Sequence, residues 1–217
     1  MKYVLIGVTC LVLVFAFVVG SNYYKEKQSE KYGFMAEENA ELFIRDHSQT
    51  LGSDDAKVYL VEFMDPACET CAAFAPFIKQ IMAANPDKIK LVIRYAPFHD
   101  GADNFVKILE AAKMQGKYWE TLDVMFKTQN IWASHHNYQP QRLWEVLPRA
   151  GVDIEQIKKD MHSPAIAKII EQDMADVKAL NVQKTPGYFV NGKPLQTFGY
   201  RQLQQLIQAE LDAHYPN

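Results

Sequence analysis

Cys68 and Cys71, separated by Glu69 and Thr70, stand where an apolar, β-forming run gives way to a helical pattern. A cysteine at a helix N-terminus faces unpaired backbone N–H groups and the positive end of the helix dipole, and both favour thiolate over thiol. The thiolate is the nucleophile of thiol–disulfide exchange, and a second cysteine one turn on is close enough to close a disulfide with it. The segment from Val58 to Cys71 therefore reads as a dithiol built for redox chemistry. The same spacing is also half of many zinc sites, and a purely structural disulfide is a third reading. A closed zinc site needs two more N or S ligands. The other cysteine, Cys10, lies in an apolar N-terminal run, and His99, His135, His136 and His162 show no finger or ribbon spacing. His135-His136 falls in a polar connection and reads as surface loop.

The elements that must position this pair can be read from hydrophobic periodicity. Val58 to Met64 is nearly all apolar and rich in β formers, as suits a central strand covered on both faces. Ala72, Phe74, Ala75, Phe77, Ile78 and Ile81 continue as a helix with one apolar side, in which Pro76 removes an interior hydrogen bond and predicts a kink. Ile89 to Tyr95 is a second buried strand. The resulting β-α-β unit puts the cysteines at the carboxyl end of its first strand, where open α/β sheets form their sites. Upstream, Leu42-Phe43-Ile44 is expected to be a short strand, followed by a turn at Leu51-Gly52-Ser53-Asp54.

Downstream, Val106 to Phe126 shows helical spacing, and Gln141 to Ala150, Asp153 to Met161 and Pro164 to Leu180 read as further helices. β character returns at Gly187 to Val190. Asn191-Gly192 is a strong hairpin signal, with Lys193-Pro194-Leu195 as the return strand. Leu203, Leu206, Ile207 and Leu211 mark a closing amphipathic helix.

The 217 residues suit one domain with a full core plus an N-terminal extra. A net charge of −3 argues against a nucleic-acid partner, which calls for a basic patch. Residues 1–20 form a membrane anchor or signal segment: Lys2 precedes an uncharged apolar run from Tyr3 to Val19. The run is about long enough to span a bilayer, while Val18 and Gly20 are small enough for a cleavage site. Both readings export the rest of the chain, so the expected location is the periplasm or the outer side of the membrane. A dithiol can persist oxidised there. Residues 21–40 read as a polar linker, and residues 41–217 as the folded domain.

Glu62-Phe63-Met64-Asp65-Pro66-Ala67-Cys68-Glu69-Thr70-Cys71 with Pro76, followed far downstream by Lys184-Thr185-Pro186-Gly187-Tyr188-Phe189-Val190-Asn191-Gly192, resembles the DsbA-like branch of the thioredoxin superfamily. The resemblance runs from about Leu42 to the C-terminus. It implies an α/β thioredoxin fold interrupted by an inserted helical domain at about residues 99–180. It also implies site roles. Cys68 resembles the exposed nucleophile and Cys71 the buried resolving cysteine. Thr185-Pro186 resembles a loop with a cis proline, whose residue 185 pairs with a substrate chain. The alternative for Pro186 is a trans proline that starts a strand.

Glu62 matches an acidic residue that in the family serves as proton acceptor for the resolving thiol. A carboxylate on a doubly covered strand is costly unless paired or protonated, and Arg94 on the neighbouring strand is a candidate partner. The other reading of Glu62 is a solvated edge position. The best-known periplasmic oxidase of the family has a histidine between its cysteines, where Glu69 and Thr70 stand here. A carboxylate about 6 Å from the sulfur disfavours the thiolate by on the order of 1 kcal/mol. The expected pair is therefore less oxidising, with Cys68 still below a free thiol.

The activity implied is thiol–disulfide exchange with exported cysteine-containing proteins, more in the oxidising direction. Reoxidation would come from a DsbB-type membrane partner, and no organic cofactor or metal is implied. Reductase or isomerase action at the same site, and thiol-based metal binding, are the alternatives.

Overall fold

After the short helix α1 (Ala40–Phe43), the strands β1 (Gln49–Leu51), β2 (Val58–Met64) and β3 (Ile89–Tyr95) build one half of a sheet, with α2 (Glu69–Ala84) joining β2 to β3. The structure is a computed structural model and describes residues 12–21, 23, 40–134 and 137–216. Helices α3 (Ala102–Met114), α4 (Tyr118–Lys127) and α5 (Gln129–Trp132) follow, then the small pair β4 (Ala133–Ser134) and β5 (Asn137–Tyr138). α6 (Pro140–Val146), a 3-10 turn at Leu147–Ala150, α7 (Ile154–Asp160) and α8 (Pro164–Ala179) complete the helical stretch. The chain then returns to the sheet as β6 (Gly187–Val190) and β7 (Lys193–Pro194) and ends in α9 (Tyr200–His214).

The sheet order is β1-β3-β2-β6-β7. β2 and β3 are parallel, from Val58 opposite Ile89 to Met64 opposite Tyr95, and the other neighbours are antiparallel. Alternate residues of a strand face opposite sides of a sheet. Leu60 and Met64 accordingly join Leu91, Ile93 and Tyr95 in a core shared with α2, the inserted helices and α9. Val61 and Phe63 join Val92 in a second core closed by Phe43 of α1 and Val177 of α8. The continuous apolar runs of β2 and β3 thus reflect burial on both faces.

Local signals explain most boundaries. Gly116, at φ 70°, separates α3 from α4. Asn191 and Gly192 both take positive φ, 47° and 77°, as a two-residue hairpin turn requires. Pro164 opens α8 behind a Ser163 side chain that caps Ala165 N–H. α2 continues through Pro76.

Several expectations need correcting. Leu42-Phe43-Ile44 is not a strand: residues 40–43 are helical, and the sheet edge beside β3 is taken by Gln49–Leu51 instead. Leu51 belongs to that strand, and the turn falls at residues 54–55. The 3-10 turn ends the helix expected over Gln141 to Ala150, because Pro148 cannot donate within it. Residues 1–11, 22 and 24–39, which carry Cys10, the start of the expected membrane or signal segment and most of the linker, lie outside the described residues, as do His135 and His136. Residues 12–21 are helical with Leu13, Phe15 and Phe17 exposed, and among the described residues no helix is long and apolar enough to cross a membrane.

Arg94 does not meet Glu62. In the parallel register Glu62 lies opposite Ile93, whereas Arg94 lies opposite Phe63 and stacks over its ring at 5.4 Å. Its guanidinium is wholly buried and donates to Asp173 Oδ1 at 2.6 and 2.9 Å, to Asp176 Oδ2 at 2.5 Å and to the Leu42 carbonyl at 2.7 Å. Arg45 grips Asp176 through two further bonds of 2.8 and 2.9 Å. This ionic cluster fastens α8 and α1 to the face of the sheet away from Glu62. Arg94→Met leaves two buried carboxylates without their shared cation, and a loss of about 3–5 kcal/mol is expected in urea unfolding. A loss below about 1 kcal/mol would show that Arg45 at Asp176 and His47 at Asp173 satisfy the two carboxylates without it.

Candidate active site

The parallel β2–α2–β3 crossover leaves the carboxyl end of β2 free to turn sharply into α2. Cys68 is the N-cap of that helix, in an extended conformation with φ −74° and ψ 117°. Its N–H donates to the Asp65 carbonyl at 3.0 Å, and its carbonyl accepts from Ala72 N–H at 3.2 Å. Cys71, one turn on, has no solvent exposure, and both cysteines are free thiols.

Residues more than a hundred positions away complete the site because of sheet pairing. β6 runs antiparallel to β2 with Gly187 opposite Phe63 and Tyr188 opposite Glu62. This pairing carries residues 185 and 186 to the end of β2. The Thr185–Pro186 peptide is cis, and Cys68 Sγ donates to the Thr185 carbonyl at 3.4 Å. The structure therefore brings Cys68, Cys71, Thr185 and Pro186 together. Glu62 sits beneath them, buried within the central strand and not at a solvated edge.

The three titratable groups differ sharply in their surroundings. The Cys68 thiol is pulled down to about 6, first by a hydrogen bond from the Cys71 side chain. Partial burial works against this, while the Thr185 side chain and the N–H groups of Cys71 and Thr70 add to it. At pH 7 this leaves about ten thiolates for each thiol. Burial pushes the Cys71 thiol well up, reinforced by its hydrogen bond to Cys68 and by the charge of Glu62. Burial likewise raises the Glu62 carboxyl to about 8; the nearby Tyr188 hydroxyl opposes the shift and the Cys68 charge adds to it. Tyr188 Oη is close enough to bear on Glu62, and it is a buried atom with no hydrogen-bond partner among the described residues.

On the far side of α2, Glu62 borders an apolar cavity of about 430 Å³ between α2 and α4, whose lining includes Met64, Ile78, Leu122 and Phe126. Lys79 and Lys127 of its lining are both paired with Asp123. Among the described residues, no group of three or more histidine, cysteine, aspartate or glutamate side chains is arranged to hold a metal ion.

Three residues at the site escaped the sequence reading. Asp65, wholly buried, gathers backbone and side-chain donors from two loops; Gln129 reaches the Pro66 carbonyl from α5 at 3.1 Å; Tyr188 faces Glu62. Asp65 had a readable signal, since a carboxylate that directly follows a doubly covered strand needs donors. Gln129 and Tyr188 had none.

Glu62 supplies a test of these electrostatics. It binds its proton more tightly folded than unfolded, so its stabilising contribution is complete below about pH 4.5 and is lost as pH rises through about 8. Wild type should lose a few kcal/mol relative to Glu62→Gln between pH 5 and 8 in paired urea titrations. Parallel stability curves for the two proteins would refute a buried, protonated Glu62.

A thioredoxin family model matches residues 45–209. The chain is 31% identical over 145 residues to the Na(+)/H(+) antiporter NhaA of Herminiimonas arsenicoxydans, a match covering 67% of this chain and 22% of that protein. The chain thus spans under a quarter of that relative's length. It is 30% identical over 181 residues to a probable disulfide bond formation protein D of Bacillus cereus, covering 79% of this chain and 82% of the relative. Its fold superposes on a thioredoxin-like oxidoreductase from Silicibacter pomeroyi with a TM-score of 0.68 at 25% identity, over 79% of this chain and 96% of that one. With the cysteine pair at the N-terminus of α2, the cis proline beside it and a matched stretch covering most of the chain, this protein belongs to the thioredoxin family, in its DsbA-like branch.

Proposed function

We propose that the protein is a protein-disulfide oxidoreductase that introduces disulfides into exported cysteine-containing proteins. The observation that carries this reading is the asymmetry of the pair: Cys68, expected to be exposed but only 6% exposed at the helix N-terminus, is an acidic thiol, while Cys71 behind it is wholly buried and holds its proton. A stabilised Cys68 thiolate favours the reduced pair, and so makes the Cys68–Cys71 disulfide an oxidant.

In the oxidising direction a substrate thiolate attacks Cys68 Sγ of the Cys68–Cys71 disulfide. The intramolecular S–S bond breaks, and Cys71 leaves as a thiolate that takes a proton from the Glu62 carboxyl. The substrate is held in a mixed disulfide, its backbone paired with residue 185 beside Pro186. A second substrate thiolate then attacks the substrate sulfur, and Cys68 departs as the stable thiolate. Two electrons have moved onto the pair. The cavity beside Glu62 gives the carboxyl a route for recovering its proton from solvent. Glu62 sits in the right state for this role, since burial keeps it protonated at neutral pH.

The reduced pair is returned to the disulfide by a quinone-linked membrane protein of the DsbB type. The exchange itself needs no organic cofactor or metal. The bulk of the chain works in the periplasm or on the outer face of the membrane, tethered by the apolar segment of residues 3–19. The relative named as a disulfide bond formation protein supports the oxidising direction. Reductase or isomerase action would use the same atoms in reverse.

Two measurements test this reading. Cys71→Ser, with Cys68 first charged as its mixed disulfide with glutathione, should release glutathione to a reduced protein substrate and accumulate the Cys68–substrate disulfide, and Cys68→Ser should form none; trapping through neither cysteine would refute it. Equilibration with glutathione should place the pair between about −270 mV, where thioredoxin lies, and about −120 mV at the strongly oxidising end. A value at or below about −270 mV would reverse the direction to reductase.

A further inference from the structure

The Asp65 side chain has no solvent exposure, yet it accepts four hydrogen bonds. Oδ1 takes the Ala67 N–H at 2.8 Å. Oδ2 takes the backbone N–H groups of Phe98 and His99 at 2.8 and 2.9 Å, and His99 Nδ1 at 2.7 Å. Oδ2 already accepts two backbone N–H groups, a setting that suits a His99 ring presenting Nδ1–H to it. The main chain of Asp65 is engaged as well: its carbonyl takes the Cys68 N–H, and its N–H bears on the Cys71 sulfur. One residue on, the Pro66 carbonyl accepts from the buried Gln129 side chain. The loop from Asp65 to Cys68 is therefore gripped from two directions. One grip comes from the connection between β3 and α3, the other from α5 within the inserted helices.

We propose that Asp65, His99 and Gln129 form a clamp through which the helical insertion fixes the Asp65–Cys68 loop, and so sets how readily Cys68 acts as nucleophile. The insertion is then more than a cover over the sheet. Apart from Thr185, the donors that stabilise the Cys68 sulfur, the Cys71 side chain and the N–H groups of Thr70 and Cys71, belong to the first turn of α2, and they serve it only if the loop enters the helix at this angle. The buried carboxylate and amide are well suited to hold that angle, because water cannot take their place where they have no access to solvent. All three are positioning residues, since they act on the sulfurs through the loop. The proposal rests on Cys68 being the attacking thiol of the reading above.

The test is a pH titration of the Cys68 thiolate by its ultraviolet absorbance in the full chain, with the unfolding midpoint measured alongside. Asp65→Asn keeps the size of the side chain but leaves one oxygen for four donors. Two effects of that change have opposite signs. Removing a negative charge would lower the Cys68 pKa; loosening the loop withdraws the helix donors and raises it. We expect a rise of about one unit, a tenfold loss of thiolate relative to thiol. Gln129→Leu changes no charge, so the clamp predicts a smaller rise there too. A fall or no change in Asp65→Asn, with Gln129→Leu unchanged, would overturn the clamp and leave Asp65 a purely structural carboxylate. If Asp65→Asn fails to fold, Gln129→Leu and His99→Gln decide by the same titration, and unaltered values in both would overturn the proposal. The titration needs no substrate, so it reads the clamp even if the wild-type chain exchanges no disulfide.

Discussion

The double hydrogen-bonding of β2, parallel to β3 on one side and antiparallel to β6 on the other, is the constraint from which the site follows. The parallel pairing demands a crossover, which supplies a helix whose N-terminus opens at the end of β2. The antiparallel pairing returns the chain in the opposite sense, so the residues just before β6 arrive at that same end. Cys68 and Thr185 meet because both are adjacent to strand ends in one ladder. Strand pairing in a fully buried sheet is tightly specified, since a slip by one residue would turn every core side chain to the wrong face.

Burial of the same strand also creates the electrostatic contrast that the chemistry uses. Glu62 and Cys71 lie where the charged form is penalised, and both are pushed toward the protonated state. Cys68 lies only a turn away, but at the mouth of the helix, where the Cys71 side chain, aided by Thr185 and the N–H groups of Cys71 and Thr70, outweighs its desolvation. One structural feature, a helix that starts at the surface and leads straight into the core, thus separates the ionisation of two identical thiols. No charged residue between the cysteines is needed for this. Glu69, expected to disfavour the thiolate, does not figure among the groups that move Cys68 most.

The opposite face of the sheet solves a different problem. Arg94 extends into that core and is matched there by Asp173 and Asp176 of α8, with Arg45 closing the cluster. This arrangement ties the last helix of the insertion to the sheet directly before the chain turns back toward Thr185 and Pro186. The same insertion meets the redox loop from the other side of the sheet through Gln129. The inserted helices therefore bear on both chain segments that carry the site.

What the sequence by itself determined were the features encoded within a few residues. The buried runs of β2 and β3, the Asn191-Gly192 turn and the cysteine pair at a helix start are local patterns, and their bounds were legible because apolar runs, turn residues and caps act on their own neighbours. The two motifs around Cys68 and Pro186 also made the family legible. The short strand expected at Leu42 was misread because three apolar residues specify burial and not conformation; which segment fills an open sheet edge depends on the rest of the sheet. The partner of Glu62 was misread for a related reason. Two oppositely charged residues on adjacent strands pair only if they share a face, and the register that put Arg94 opposite Phe63 is a property of the whole ladder. Asp65, Gln129 and Tyr188 became parts of the site only when segments far apart in the chain came together. Tertiary structure alone decides such meetings, because a hydrogen bond between distant residues leaves no pattern in either stretch of sequence.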